Sequence, residues 1–158
     1  MKMRAMSTPV STLKDDALLK AAPLVDGYRL LDPVLIVQRI GQGGMGSVYR
    51  GTHLNLSIDV AVKCLDARLA VHSDVYVQRF LREAKLAASI NHQNLIHVYD
   101  VVQSCGLHYL VMEFVEGETI AARVNRRTRL TELEALRIML GAARGLGGQR
   151  LHGGQRVL

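Results

Sequence analysis

"IGQGGMGSVYR", residues 40–50, is the stretch whose reading decides the fold. Within it, Gly41-Gln42-Gly43-Gly44-Met45-Gly46 spells G-x-G-x-x-G. Two phosphate-binding architectures share that spelling. In one, a strand and glycine turn open into a helix whose N-terminus meets a dinucleotide's pyrophosphate. In the other, the turn joins two strands and lies over the phosphates like a flap. The residues after Gly46 separate them. Ser47-Val48-Tyr49-Arg50-Gly51-Thr52 is β-branched, aromatic and closed by a glycine, a poor helix start and a good strand. Asp66 is a weak candidate for the acidic residue a dinucleotide fold needs about 20 residues on.

Working outward, Val34–Ile40 reads as the strand before the turn, and Ile58–Leu65 alternates as a third strand. A glycine turn lets backbone N–H groups approach phosphate without Cβ interference. A nucleotide triphosphate also needs a cation, and Lys63 in Val60-Ala61-Val62-Lys63 offers one. A buried ammonium requires a carboxylate partner. Ser73 can cap a helix running to about Ser89, on which Tyr76, Phe80, Glu83, Ala87 and Ile90 share one face. Glu83 is the single charge on that face and the candidate partner of Lys63. Asn91–Asn94 breaks the helix. Val98–Val102 and Leu107–Phe114 read as a hairpin around Ser104-Cys105-Gly106. Thr131 and Glu134 spell a capping box, followed by a stripe of Leu133, Leu136, Leu140 and Ala143.

These motifs in this order resemble the N-terminal lobe of eukaryotic-type serine/threonine protein kinases in their bacterial form. IGQGGMGSVYRG is similar to the family's glycine-rich loop, VAVK to its ATP-lysine strand, and FLREAKLAASINHQNLIHVYDV to its helix C and the next strand. Gln93 stands where the family usually has proline. LVMEFVEGETI is similar to the last strand of the lobe and the hinge. The resemblance implies that Ile40, Gly41, Gln42, Gly43, Gly44, Met45 and Gly46 lie over ATP, and that Val48 and Ala61 join Ile40 as apolar walls of the adenine pocket. It also implies that Lys63 and Glu83 form an ion pair, that Met112 is the gatekeeper, and that Glu113 and Val115 offer backbone groups to the adenine edge. The implied fold is α+β: a five-stranded antiparallel sheet with one helix C, then one or two helices of the C-terminal lobe.

The expected organisation is a loosely ordered leader over residues 1–26, the ATP-loop lobe over 27–117, two helices over 118–146, and an irregular Gly/Arg-rich end over 147–158. Within the 158 residues there is no H-R-D, D-F-G or A-P-E sequence. Those motifs supply the family's catalytic Asp and its Mg²⁺ ligands. No catalytic residue and no metal ligand is therefore assigned, and the chain is read as ATP-binding but inactive alone. The family texture fades at about Gly147, which suggests a truncated or frame-shifted reading of a longer kinase gene. The alternative is a non-catalytic kinase-like module that binds a protein partner through its exposed helix.

Composition agrees with a globular domain: 49% of residues are apolar and 22% charged. No apolar run is long enough to span a membrane, and no signal peptide is recognisable. Cys64 and Cys105 are read as reduced core residues, which suits a cytoplasmic protein. The net charge of +6 is uneven, since residues 121–158 hold eight Arg and two Glu while the rest balance at 12 of each sign. No aromatic residue interleaves those arginines for stacking on bases. A solvated helix face is expected rather than a nucleic-acid site.

Overall fold

The computed structural model describes residues 13, 15–72, 74–127 and 129–153. Seven strands form one antiparallel sheet. They are β1 (Leu24–Val25), β2 (Tyr28–Leu31), β3 (Val34–Gly43), β4 (Gly46–His53), β5 (Ile58–Leu65), β6 (Val98–Ser104) and β7 (Leu107–Glu113). Their spatial order is β1-β2-β3-β4-β5-β7-β6. The five expected strands are β3 to β7, and the count is corrected by the β1–β2 hairpin at one edge. Its two-residue turn, Asp26-Gly27, has φ of 50° and 86°. Asp-Gly is well suited to a hairpin turn that needs two positive φ values.

Strand alternation gives the sheet two faces. Ile36, Tyr49, Val60, Val62, Cys64, Tyr109 and Val111 point to one of them and are buried in a cluster completed by Leu13, Leu19 and Ala22. Of the leader expected to be loosely ordered, Leu13, Leu18, Leu19 and Ala22 pack over this face, and Leu24–Val25 is β1. An apolar sheet face needs a cover, and the covering leucines have no periodicity that would announce them. The opposite face presents Leu65 and Leu110 to Phe80 and Ala84 of α2 (Asp74–Ala88).

Ahead of α2 stands a short helix not anticipated from sequence, α1 (Ala67–His72). Asp66 opens it: its Oδ1 accepts from the Arg68 N–H at 2.9 Å, and its carbonyl accepts from the Leu69 and Ala70 N–H groups at 3.0 and 3.2 Å. Asp66 is therefore a helix cap, which removes it as a ribose ligand. Ser73, the expected cap of α2, lies outside the described residues.

Two helices follow the sheet, α3 (Ile120–Arg127) and α4 (Glu132–Gly153). The capping box forms in both directions: the Glu134 N–H donates to Thr131 Oγ1 at 3.3 Å, and the Thr131 N–H donates to Glu134 Oε2 at 3.1 Å. Hydrogen bonds from Thr131 hold the Glu134 carboxyl below its ordinary range. α4 touches the loop after α2 through small residues. Asn94 Nδ2 donates to the Gly141 carbonyl at 2.9 Å, and a Cβ on Gly145 would lie 3.2 Å from Leu95. The end expected to be irregular from residue 147 is helical as far as Gly153. Glycine costs roughly 1 kcal/mol per helical position, but extending a nucleated helix is far easier than starting one. Leu133, Leu136 and Leu140 are exposed.

Candidate functional site

The G-x-G-x-x-G segment is a hairpin. β3 and β4 pair up to Gly43↔Gly46, and Gly44-Met45 makes the turn. The strand-turn-strand reading is the one the chain adopts. The three classes of glycine in it differ in what the fold requires. Gly46 has φ of 146°, and a Cβ there would stand 2.0 Å from the Cys64 carbonyl oxygen, so the fold itself demands glycine. Gly41 would meet only Val48, at 3.7 Å. Gly43 and Gly44 have nothing within 4 Å of a built Cβ. Internal packing gives no reason for those two, and they leave open space above the turn. The Met45 carbonyl accepts from the Asp66 N–H at 3.0 Å, tying the turn to the end of β5.

Register brings the candidate side chains to one face. Gly41, Val48, Lys63 and Leu110 are successive cross-strand partners on β3, β4, β5 and β7. Directly opposed residues share a face, as do residues two apart. Arg50, Ala61 and Met112 form the parallel row two positions along. Val48, Lys63, Ala61 and Met112 therefore share the face on which α2 also packs. Ile40 sits at the register shift between Arg39 and Gly41 and is 45% exposed. Gln42 pairs with Ser47 at the turn's base and is exposed.

Beyond β7 the chain is extended and largely exposed through Val115. The Glu113 N–H already donates to the His97 carbonyl at 2.8 Å. Of its backbone groups, only the carbonyl is a candidate for a nucleobase. Arg50 flanks this region: its guanidinium lies 4.8 Å from the centre of the Phe114 ring, and it pairs with Asp59.

One expected contact is absent. Glu83 does not reach Lys63; its side chain is 50% exposed, and its carboxylate accepts from Arg79 Nε at 2.9 Å, one helical turn back. Lys63 has no ion-pair partner among the described residues. The reason is helical phase. α2 buries Phe80 and Ala84, with Val77 and Leu81 partly buried beside them. At 3.6 residues per turn Glu83 lies roughly 100° from the centre of that stripe. Tyr76 is likewise exposed. A shallow groove runs along this outer side of α2, lined by Asp74, Arg79, Glu83 and Leu86 among others. Side chains of a single helix line it, so it is a surface furrow and not an enclosed site.

The cysteine reading is half corrected. Cys64 is buried, and burial pushes its thiol up to about 12, with the Asp16 carboxylate adding to the effect. Cys105 is exposed in the β6–β7 turn, at φ of 52°, and is no core residue. The basic end is partly neutralised locally. Arg123 and Arg126 pair with Glu118 at 3.1 and 2.6 Å, and Arg127 pairs with Glu134 at 3.0 Å. Sequence reasoning missed Asp16, Arg39 and Tyr49, which meet behind the glycine turn; no local signal marks contacts between residues so far apart in the chain.

Mg²⁺, implied by the resemblance, finds no fitting ligand set among the described residues. No group of three His, Cys, Asp or Glu side chains is gathered among the described residues. No helix among them is long and apolar enough to cross a membrane.

Comparison with known proteins shows the family. The protein kinase domain family profile matches residues 35–155, which includes the stretch after Gly147 where the family texture was expected to end. The serine/threonine-protein kinase Pkn1 of Myxococcus xanthus is 36% identical over 113 residues, covering 66% of this chain and 16% of that protein. PrkC of Bacillus subtilis is also 36% identical, over 72% of this chain and 17% of its own length. The chain thus spans about one sixth of these relatives. Among solved structures, the PknI kinase domain of Mycobacterium tuberculosis superposes with a TM-score of 0.69 at 26% identity, covering 83% of this chain and 53% of that domain.

Proposed function

The chain belongs to the protein kinase domain family, and on that premise we propose that residues 40–115 are the ATP-holding half of a serine/threonine protein kinase. The observation that carries this reading is the shared sheet face: Gly41, Val48 and Lys63 in one cross-strand row, Ala61 and Met112 in the next. Apolar Val48 and Ala61, with Ile40, would sandwich the adenine ring. Met112 would bound its depth, while the Glu113 carbonyl and the Val115 N–H would meet its polar edge. Backbone N–H groups over Gly41 to Gly46 would cover the phosphates, with Gly43 and Gly44 providing room for close approach. Lys63 would supply a positive point charge there. Glu83 would hold Lys63 only after α2 turns its outer side inward, since in this structure it is bonded to Arg79.

These 158 residues hold no Asp matching the family's catalytic base. Without it and without Mg²⁺ ligands, the hydroxyl nucleophile is not oriented and phosphate charge is not neutralised. This stretch by itself binds nucleotide weakly and does not transfer phosphate. Protein substrates and a cytoplasmic setting, where ATP is available, belong to the same reading. Titration with ATP tests it, read by calorimetry. Binding is expected, weakened by Lys63→Met about tenfold, the scale of one charge-assisted hydrogen bond. No binding at millimolar ATP, or equal affinity in the variant, would overturn the reading.

The exposed row of Leu133, Leu136 and Leu140 favours a second reading, a non-catalytic module that meets a protein partner there. Phosphate transfer from Mg-ATP to a peptide above background would speak against that reading and against inactivity alike.

A further inference from the structure

Behind the glycine turn, on the face away from Lys63, one carboxylate joins three segments of chain. Asp16 Oδ2 accepts a hydrogen bond from the Tyr49 hydroxyl at 3.0 Å and lies 3.7 Å from Arg39 Nη1. Its Oδ1 accepts from the Leu18 N–H at 3.0 Å. The Asp16 side chain is only 6% exposed, and Tyr49 is fully buried. Taking a carboxylate out of water costs several kcal/mol unless its lone pairs are met. Here the partners that meet them come from both arms of the hairpin that carries the turn.

Arg39 on β3 and Tyr49 on β4 are cross-strand partners. The next pair towards the turn is Gly41↔Val48, and the register slips between the two. Asp16 therefore clasps the hairpin at the point where its own ladder is irregular. On the turn side of the clasp, Gly43 and Gly44 have open space beside them, and the turn's tie to β5 is the Asp66 N–H to Met45 carbonyl bond at 3.0 Å. The carboxylate is itself fixed by apolar anchors. Leu19 and Ala22 are buried against the sheet, and Arg29 Nη1 donates to the Ala22 carbonyl at 2.8 Å. All these strap residues lie outside the stretch that the kinase family profile matches.

We propose that residues 15–22 are a strap that fixes the hinge of the glycine turn, with Asp16 as the positioning residue that sets the turn's angle over a nucleotide's phosphates. The last clause rests on the ATP reading above; the clasp does not. When the strap is docked, Asp16 holds Arg39 and Tyr49 in register and the turn is stiff. When it is undocked, the buried Tyr49 hydroxyl loses its acceptor and the bulge at Ile40 is free to slide.

The test uses the full 158-residue chain. Hydrogen exchange of the amides in 41–46 is compared among wild type, Asp16→Ala, Asp16→Asn and Tyr49→Phe. Tyr109→Phe is the control, since it removes a buried hydroxyl bond to the Asp32 carbonyl elsewhere on the same face. Asp16→Ala and Tyr49→Phe are expected to speed exchange in the turn about tenfold while β5 and β7 keep their protection. Asp16→Asn keeps a neutral acceptor for Tyr49 and should restore most of the turn's protection. ATP affinity, measured in parallel, should fall about threefold or more in the two disruptive variants, tracking the exchange. Unchanged exchange in 41–46 would overturn the clasp, and so would acceleration spread evenly over the sheet. Faster exchange in the turn with unaltered ATP affinity would overturn the positioning role. A wild-type chain that binds no ATP would overturn the nucleotide reading, while the exchange data would still decide the clasp.

Discussion

The two faces of the sheet are built from the same strands and do opposite things. On the strapped face, Tyr49, Val60, Val62, Tyr109 and Val111 are all essentially inaccessible, closed over by Leu13, Leu19 and Ala22. On the other, α2 covers only the part near Leu65 and Leu110. Val48, Lys63 and Met112 remain partly open, and Ile40 is exposed. The same alternation that buries Val62 and Cys64 aims Ala61 and Lys63 the other way. Burial is concentrated on one face, and the proposed nucleotide site lies on the other.

Substitutions can break that contrast in order of size. The largest effect is expected at the glycine turn. Gly46→Ala forces a Cβ to within 2.0 Å of a backbone oxygen at a φ suited to glycine and should cost about 3 kcal/mol or more in urea unfolding. Gly44→Ala, with open space around it, should leave the unfolding midpoint unchanged and weaken ATP binding instead. Equal stability loss at both would mean that the turn is purely structural. Next comes the strap. Leu19→Ala should cost about 2–5 kcal/mol, as expected for a leucine with no exposed surface. Leu136→Ala on the exposed side of α4 should stay within about 0.5 kcal/mol.

Alkaline pH attacks the strapped face selectively. Burial first, and the Asp16 carboxylate second, raise Tyr49 and Cys64; burial, with the Asp32 carboxylate, pushes Tyr109 up to about 12. In the unfolded chain a thiol titrates near about 8.5 and a phenol near about 10. Unfolding therefore releases protons once the pH passes those values. Stability from these groups is complete below about pH 8.5 and is lost as the pH climbs towards 12. Thermal melting at successive pH values checks this, and a midpoint unchanged up to pH 11 would contradict it. Tyr109→Phe, which deletes a 2.8 Å hydrogen bond to the Asp32 carbonyl on that face, should cost about 1 kcal/mol.

Legibility in the sequence followed the range of the interaction. The Gly-rich turn, the capping box of Thr131 and Glu134, and the Cys105-Gly106 hairpin depend on neighbours within a few residues, and each stands where the pattern puts it. The Asp26-Gly27 turn is equally local, with Leu24 and Val25 before it and Tyr28, Leu30 and Leu31 after it, but a first strand of two residues is too short to show an alternation. Glu83 shows the opposite case. Its stripe with Phe80 was a correct helical period with the wrong phase, because what fixes the phase is the sheet beneath. With the phase the sheet imposes, its carboxylate meets Arg79 on its own helix and not Lys63.

By itself, the sequence determined the strand-turn-strand at residues 40–50 and the family. It could do so because alternation, turn chemistry and glycine spacing are written into adjacent residues. Only the tertiary structure decided which way α2 faces and what covers the back of the sheet. Tyr49 and Asp16 are 33 residues apart in the chain, and nothing local to either encodes their contact. It exists because an apolar face must be closed, and the segment that closes it brings a carboxylate with it.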